Sequence, residues 1–372
     1  MTVDHTDDDL GRLVWDEAEQ RAAQGDIAYV RDLGAELAGR RAAAAERVRD
    51  YERQLAHVVR VLALTPGRDS LAQLLRILDA RGMPGTSGLG QRFVASLLAE
   101  HHRVADLAAV VFDRGERDRL DELRACLFHE LVLRGVNAND FPPLRSWPHG
   151  RPGWHALSWL LSHRRGLEAE ADFPSRSIRG TASSVPGGLP TEGRVDPRTP
   201  RATQRSALRD VATAGERESI VSAVQAGEWG GGAWVFRLNK VIAPAEVPAL
   251  LPTLPMDCVD GLGPTDRFEI AVRPADKIWC LLFATASMGG MHNSGVQGAY
   301  GRLWAWRSLA GLSGAPDGAS AGTVERHARQ STWFHFEADA DWFHNDMGYD
   351  YGVAALSPDQ RRIAVLAATD TD

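Results

Sequence analysis

Apolar residues change their spacing once along this chain, and the change falls in a stretch that is unable to build a core. Up to about residue 135 they recur at helical intervals: Leu55, Val58, Val59 and Leu62, then Leu71, Leu74, Leu75 and Leu78, both at i, i+3, i+4, i+7. From about residue 230 short apolar or alternating runs take over, which is the signature of strands. Between them lies "DFPSRSIRGTASSVPGGLPTEGRVDPRTPRATQR", Asp172 to Arg205, too polar for apolar burial to offset the entropy of ordering it. The 372 residues exceed what one core usually serves. The expected organisation is therefore a helical domain over 1–171, a flexible Pro/Gly/Arg-rich linker or lid over 172–205, and an α+β domain over 206–372.

In the first part, Pro66-Gly67 stops one helix, Asp69 or Ser70 caps the next, and Gly82 with Pro84 ends it. Helices joined by such short turns pack antiparallel, so roughly six to eight of them are expected as a bundle or a short HEAT-like solenoid. A further helical patch, "GWHALSWLLSHRRGLEAEA", closes that part near residue 171. In the second part "SALRDVATAGERESIVSAVQAG" reads as a helix, and strands are expected at "AWVFRL", "RFEIAV", "KIWCLLFATAS", "STWFHFE", "YGVAAL" and "RIAVLAA". The segment "AYGRLWAWRSLAGL" reads as a helix. Ser357-Pro358-Asp359-Gln360 suits a type I turn, which makes the last two strands an antiparallel hairpin, with "RIAVLAA" buried on both faces. The fold class is thus α+β, with a mixed or antiparallel sheet.

Composition removes some function classes. The apolar content of 44% belongs to a globular protein, and the net charge of -7 argues against a nucleic-acid or membrane surface as the main partner. The acidic start "MTVDHTDDDLGRLVW" is unlike a signal peptide, and the longest apolar run, "IWCLLFATA", is about half of the roughly 20 residues a membrane span needs, so a cytoplasmic protein is expected. Heavy use of Ala, Arg and Gly suggests a GC-rich bacterial genome. Cys126, Cys258 and Cys280 are widely spaced, without a Cys-x-x-Cys, and read as buried free thiols.

The best lead to chemistry is "STWFHFEADADWFHNDMGYDYG", in which Trp-Phe-His occurs twice. On a strand, Trp333, His335 and Glu337 share one face and Phe334 and Phe336 the other. A four-residue loop over 338–341 would pair 337 with 342 and 335 with 344. His335 and His344 would then be cross-strand neighbours, with Glu337 and Asp346 diagonal to them, in the core-backed position of a catalytic cluster or a metal site. The competing reading is an aromatic hairpin wall, stabilised by packing alone. Whether a metal or any cofactor binds stays open; a calcium loop fails at its central turn, where Phe343 and His344 stand.

A second lead is "SMGGMHNSGVQGAYGRLWAW". Gly290 and Gly295 have the spacing of a phosphate-binding loop, but Val296 and Gln297 replace the Lys and Ser or Thr it needs. His292 and Asn293 remain as polar side chains on a loop at an element end, a position where ligand-binding residues concentrate. His129-Glu130 lacks the second His of a zinc-protease helix, and it and His101-His102 read as surface residues. The glycines of "GEWGGGAWVF" read as a turn.

The stretches "GAYGRLWAWRSLAGL" and "WFHNDMGYDYGVAALSPDQRRIAVLAATDTD" resemble an uncharacterised family of streptomycete and related actinobacterial proteins, a domain of unknown function. The resemblance covers mainly residues 280–372; it implies a bacterial origin and a recurring unit, and it carries no activity and no assigned residues. Two functions therefore stand side by side. One is an enzyme or small-molecule-binding protein with a His/carboxylate pocket in the second domain, where a carboxylate beside His fixes its tautomer and raises its basicity. The other is an interaction or regulatory protein that uses the helical domain as a surface for a protein partner. Oligomeric state and substrate are not legible.

Overall fold

The computed structural model describes residues 6–44, 46–79, 90–112, 120–150, 155–182, 188–195, 206–263, 266–290, 293–343 and 349–370. Its contacts divide the chain into two compact units, Met1–Ser158 with Ser175–Ala182, and Trp159–Pro174 with Ser183–Asp372.

The first unit is built on helices α1 (Ile27–Ala43), α2 (Val48–Leu64), α3 (Arg68–Asp79), α4 (Gln91–His101) and α5 (Asp121–Leu133). The two apolar stripes read from the sequence are the buried faces of α2 and α3. Between them Gly67 takes φ 135°, which favours glycine, and Ser70 Oγ donates to the carbonyls of Thr65 (2.6 Å) and Gly67 (2.9 Å). Helix α5 is buried on all sides from Leu123 to Leu133, as a central helix must be. That burial overturns the surface reading of His129 and Glu130: both are fully buried, and the Glu130 carboxylate accepts from Ser96 Oγ and pairs with Arg134. His102 is buried as well, its Nε2 2.9 Å from the Ala63 carbonyl, while His101 is half-buried. Solvated neighbours in sequence say little about a position on a helix that is enclosed.

Part of the expected linker belongs here too. Strands β1 (Ser175–Ser177) and β2 (Gly180–Ala182) form a small hairpin held on α4, where the Arg176 amide donates to Glu100 Oε1 (3.1 Å) and His101 Nε2 lies 3.0 Å from the Arg176 carbonyl.

The second unit is a five-stranded antiparallel sheet in the order β3-β7-β6-β5-β4, with β3 Gly230–Arg237, β4 Phe268–Arg273, β5 Thr332–Ala338, β6 Asp350–Leu356 and β7 Arg362–Thr369. The helices are α6 (Ala214–Ala226), α7 (Ala275–Met288), α8 (Gln297–Ser313) and α9 (Ala321–Gln330). One face of the sheet packs against α6, α7 and α8. The other carries Phe334, Phe336, Ala354, Leu356, Ile363, Val365, Trp234 and Phe236, in one apolar cluster with Ile242, Leu251, Met256 and Phe343 from the connections. The β6–β7 hairpin closes at the expected turn, Gln360 N donating to Ser357 O (2.9 Å), and β7 is buried on both faces between β3 and β6.

One expected strand is a helix. "KIWCLLFATAS" lies in α7, since a continuous apolar run carries no period of its own and suits an enclosed helix as well as an enclosed strand. The patch around 153–171 also differs. Instead of a closing helix it has short turns at Ala156–Trp159 and Gly166–Glu168, and residues 159–174 pack in the second unit. Glu168 holds them there. Its buried carboxylate accepts from Arg302 Nε (2.7 Å) and Nη2 (2.9 Å), from Trp306 Nε1 (2.6 Å) and from the Arg165 amide (2.7 Å), while Arg302 also donates to the carbonyls of Leu161 and His163 (3.0 Å each).

Both edges of the sheet are covered, one of them by residues of the expected linker. Val195 N donates to Ile270 O (2.9 Å) and Val272 N to Gly193 O (2.9 Å), so residues 193–195 cover the outer edge of β4. At the opposite edge Val211 N donates to Val235 O (2.8 Å) and Asp210 Oδ1 accepts from Val235 N (3.0 Å) on β3. A sheet edge exposes unpaired backbone groups, and segments within and just after this polar stretch are used to satisfy them. Residues 183–187 and 196–205 lie outside the described residues.

Candidate functional site

β5 alternates as its sequence requires, with Phe334 and Phe336 in the apolar cluster and Trp333 and His335 toward the helices. The expected hairpin does not form. β5 pairs with 350–356, so His335 stands opposite Val353, and Phe336 opposite Gly352. The physical reason lies in the register: Gly352 lets the Phe336 ring cover it, since a Cβ there would collide with that ring, whereas the turn at Asp341-Trp342 leaves no strand starting at 342. Phe343 packs in the apolar cluster. His344, Asp346 and His292 lie outside the described residues.

His335 is 5% exposed and its Nε2 has no hydrogen-bond partner. Burial, with the Arg273 guanidinium acting in the same sense, pushes its pKa down to about 4, so the imidazole is neutral at ordinary pH. Edge-on to it, at a centroid distance of 6.1 Å, is the ring of Tyr351, whose hydroxyl shares a 2.8 Å hydrogen bond with Thr285 on α7. Thr285 Oγ1 already donates to the Leu281 carbonyl (3.0 Å), so Tyr351 is the donor between the two hydroxyls. Trp229 packs edge-on against Tyr351 at 5.8 Å, and its indole N–H is buried without a partner, as are Ser287 Oγ and both carboxylate oxygens of Asp350. Asp350 begins β6 on the opposite face from Tyr351.

The other expected residues have local work. The Glu337 carboxylate accepts from the Leu189 amide (2.5 Å), and half-burial holds its pKa above the usual carboxylate value. Beside it Glu269, its register partner on β4, pairs with Arg194 (3.1 Å) and Arg267 (2.9 Å). These two carboxylates therefore tie residues 188–194 to the sheet. Asn293 Oδ1 accepts from the amides of Gly290 and Gly295 (3.1 Å each), which shapes its own loop. That loop and the start of β6 meet at one end of the sheet: the Asp370 amide donates to Tyr349 O (3.2 Å), and a Cβ on Gly290 would strike the Asp370 carboxylate.

Among the described residues no three His, Cys, Asp or Glu side chains converge to hold a metal. Cys126 and Cys258 are buried free thiols; Cys280 is half-buried, and desolvation pushes its thiol up to about 11, which removes it as a thiolate nucleophile. Asp350, Tyr351 and Trp229 were not singled out from the sequence. The signal available for the first two was their place in "MGYDYG", directly after the second Trp-Phe-His.

No helix among the described residues is long and apolar enough to cross a membrane. A family model described as "Family of unknown function (DUF6183)" matches residues 12–372, and the chain belongs to this family. No curated protein and no solved structure matches it.

Proposed function

We propose that this member of a family of unknown function binds, and acts on, a small molecule in its second unit, at a His/carboxylate site centred on His335. The observation that carries the reading is the buried, neutral imidazole whose Nε2 has no partner. An unsatisfied buried polar group costs about 1–3 kcal/mol, and Phe fills the same space without that cost. A neutral imidazole with an open ring nitrogen, backed by the Tyr351 ring that Thr285 holds in place, is equipped to exchange a hydrogen bond with a bound molecule. Glu337, two residues further along β5 on the same face, is the carboxylate of this reading. His344, Asp346, His292 and Asn293 are the further residues that this reading assigns to the site. A bacterial, actinobacterial source and a cytoplasmic setting belong to the same reading, supported by the heavy use of Ala, Arg and Gly and by the three free cysteines.

The test is a thermal-shift screen of small polar metabolites on the wild type and His335→Phe. A ligand that stabilises the wild type and not the variant supports the site; equal stabilisation of both, or of neither across the screen, overturns it. One observation favours a partner surface on the helical unit as a second reading: Trp15 is 53% exposed and lies 4.5 Å, ring to ring, from His57. Trp15→Ala should then abolish co-purification of a protein partner from the native host, and an unchanged set of partners overturns this reading.

A further inference from the structure

A cleft of about 1330 Å³ opens at the end of the sheet where β6 turns into β7, away from the start of β6. Its floor is Arg362, 8% exposed, which donates Nη1 to Leu312 O (2.9 Å) and Nη2 to Gly311 O (2.9 Å) at the carboxyl end of α8. Glu216 meets the same guanidinium at 3.4 Å. That carboxylate is also committed to the cap of α6, where Oε2 accepts from the Thr213 amide (3.0 Å). The buried guanidinium of the floor is thus answered by two carbonyls and a half-buried carboxylate.

The rim differs. Arg237 stands directly opposite Arg362 in the β3–β7 register, so the two side chains leave the same face of the sheet at neighbouring positions. Like charges so placed repel. Arg361 follows on the turn and Arg307 projects from α8, where it lies over the Trp304 ring at 4.5 Å. Arg237, Arg361 and Arg307 are exposed, and none makes an ion pair within 4.0 Å among the described residues. Of the acidic residues on the cleft, Asp359 is occupied by Ser357 Oγ (2.5 Å) and the Arg361 amide (3.1 Å), and Glu216 by Thr213 and Arg362; Asp317 is on the outer loop. On a chain with a net charge of -7, three exposed guanidinium groups without an ion pair within 4.0 Å among the described residues, gathered around one cavity, are a local reversal of sign. Trp159, half-buried and fixed by its indole N–H on Ala319 O (3.3 Å), supplies a flat apolar wall.

We infer that this cleft binds a small organic anion, its phosphate or carboxylate groups between Arg237, Arg361 and Arg307 and its carbon skeleton against Trp159. Guanidinium groups match either oxyanion through paired N–H donors, and a bound anion removes the repulsion between Arg237 and Arg362. The site is independent of the one around His335.

Inorganic pyrophosphate and citrate are the probes, titrated into the full-length protein by calorimetry at constant ionic strength, with NaCl as the reference. Binding of at least one is expected, and which one it is separates a phosphorylated from a polycarboxylate ligand. Arg237→Gln and Arg361→Gln, both at exposed positions, should each weaken it by about tenfold, and the double variant more, whereas Arg326→Gln, on α9 outside the cleft, should leave it unchanged. Circular dichroism of each variant shows that the fold is kept. Absence of binding by both probes overturns the inference, as does equal binding by the wild type and the Arg237→Gln/Arg361→Gln protein.

Discussion

Three buried polar side chains of the second unit show how differently a single residue is held. Glu168 and Arg302 are enclosed and fully answered by each other, by Trp306 and by backbone carbonyls. His335 is enclosed and unanswered. Removing one partner of the first pair leaves a buried charge, so Arg302→Leu should cost about 3–5 kcal/mol, and Glu168→Leu/Arg302→Leu clearly less than the sum of the single changes; urea unfolding of the four proteins measures it. For His335 the sign follows from linkage. Its folded pKa of about 4 lies below the unfolded value near 6.5, so the unfolded chain binds the extra proton, and the stability present above about pH 6.5 is lost as pH falls toward 4. The loss is on the order of 3 kcal/mol, and His335→Phe should remove that part of the acid dependence while raising stability at pH 7. Melting curves at pH 4.5 and 7 check both; an unchanged pH dependence in the variant contradicts a buried neutral imidazole. For His335 the strand face was legible, since alternation is local, although that face read as a functional or wet one and is in fact enclosed. Its neighbour Tyr351 was not legible, because a cross-strand partner depends on register.

At the scale of elements, the sheet is decided by its edges and by one glycine. Residues 193–195 bond along β4, with Gly193 at φ 75° and so close to Val272 that a Cβ would strike its carbonyl. Gly193→Val should lift this segment and leave β4 as an open edge, which templates strand pairing between molecules. The expected outcome is concentration-dependent aggregation seen by light scattering, with Thr191→Val, an exposed change in the same segment, as the control. On β6, Gly352 lies under the Phe336 ring, so Gly352→Val should displace that ring from the core and cost roughly what Phe336→Ala does, about 3–5 kcal/mol. Chemical denaturation of both variants makes the comparison. The strands at 230–237, 268–273, 332–338, 350–356 and 362–369 were each foreshadowed by alternation or by β-branched and aromatic content. The run at 278–286 was not assigned correctly, because a segment apolar on every side has no period from which to choose helix or strand.

For the whole molecule, the division into two units does not follow the composition. The polar stretch from 172 to 205 looked like a boundary, yet its residues 175–182 pack with the first unit and 193–195 bond along a sheet edge, while 159–171, read as the end of the helical part, pack with the second unit. A fragment that starts at residue 172 keeps every strand of the sheet but loses Glu168, leaving Arg302 buried without its carboxylate. A fragment of residues 159–372 should therefore melt cooperatively, and one of 172–372 should melt at a markedly lower temperature or fail to fold; equal melting temperatures contradict the role given to Glu168. By itself the sequence determined the α+β class, the helical first half, the β6–β7 turn and the inward face of β5, all of which follow from side-chain direction along a single element. Only the tertiary structure decided that β5 pairs with 350–356, that His129 and Glu130 are enclosed, that the polar stretch seals a sheet, and that Arg237, Arg307 and Arg361 meet around one cleft. Those outcomes depend on which distant segments come together, and periodicity within a segment carries no record of its partner.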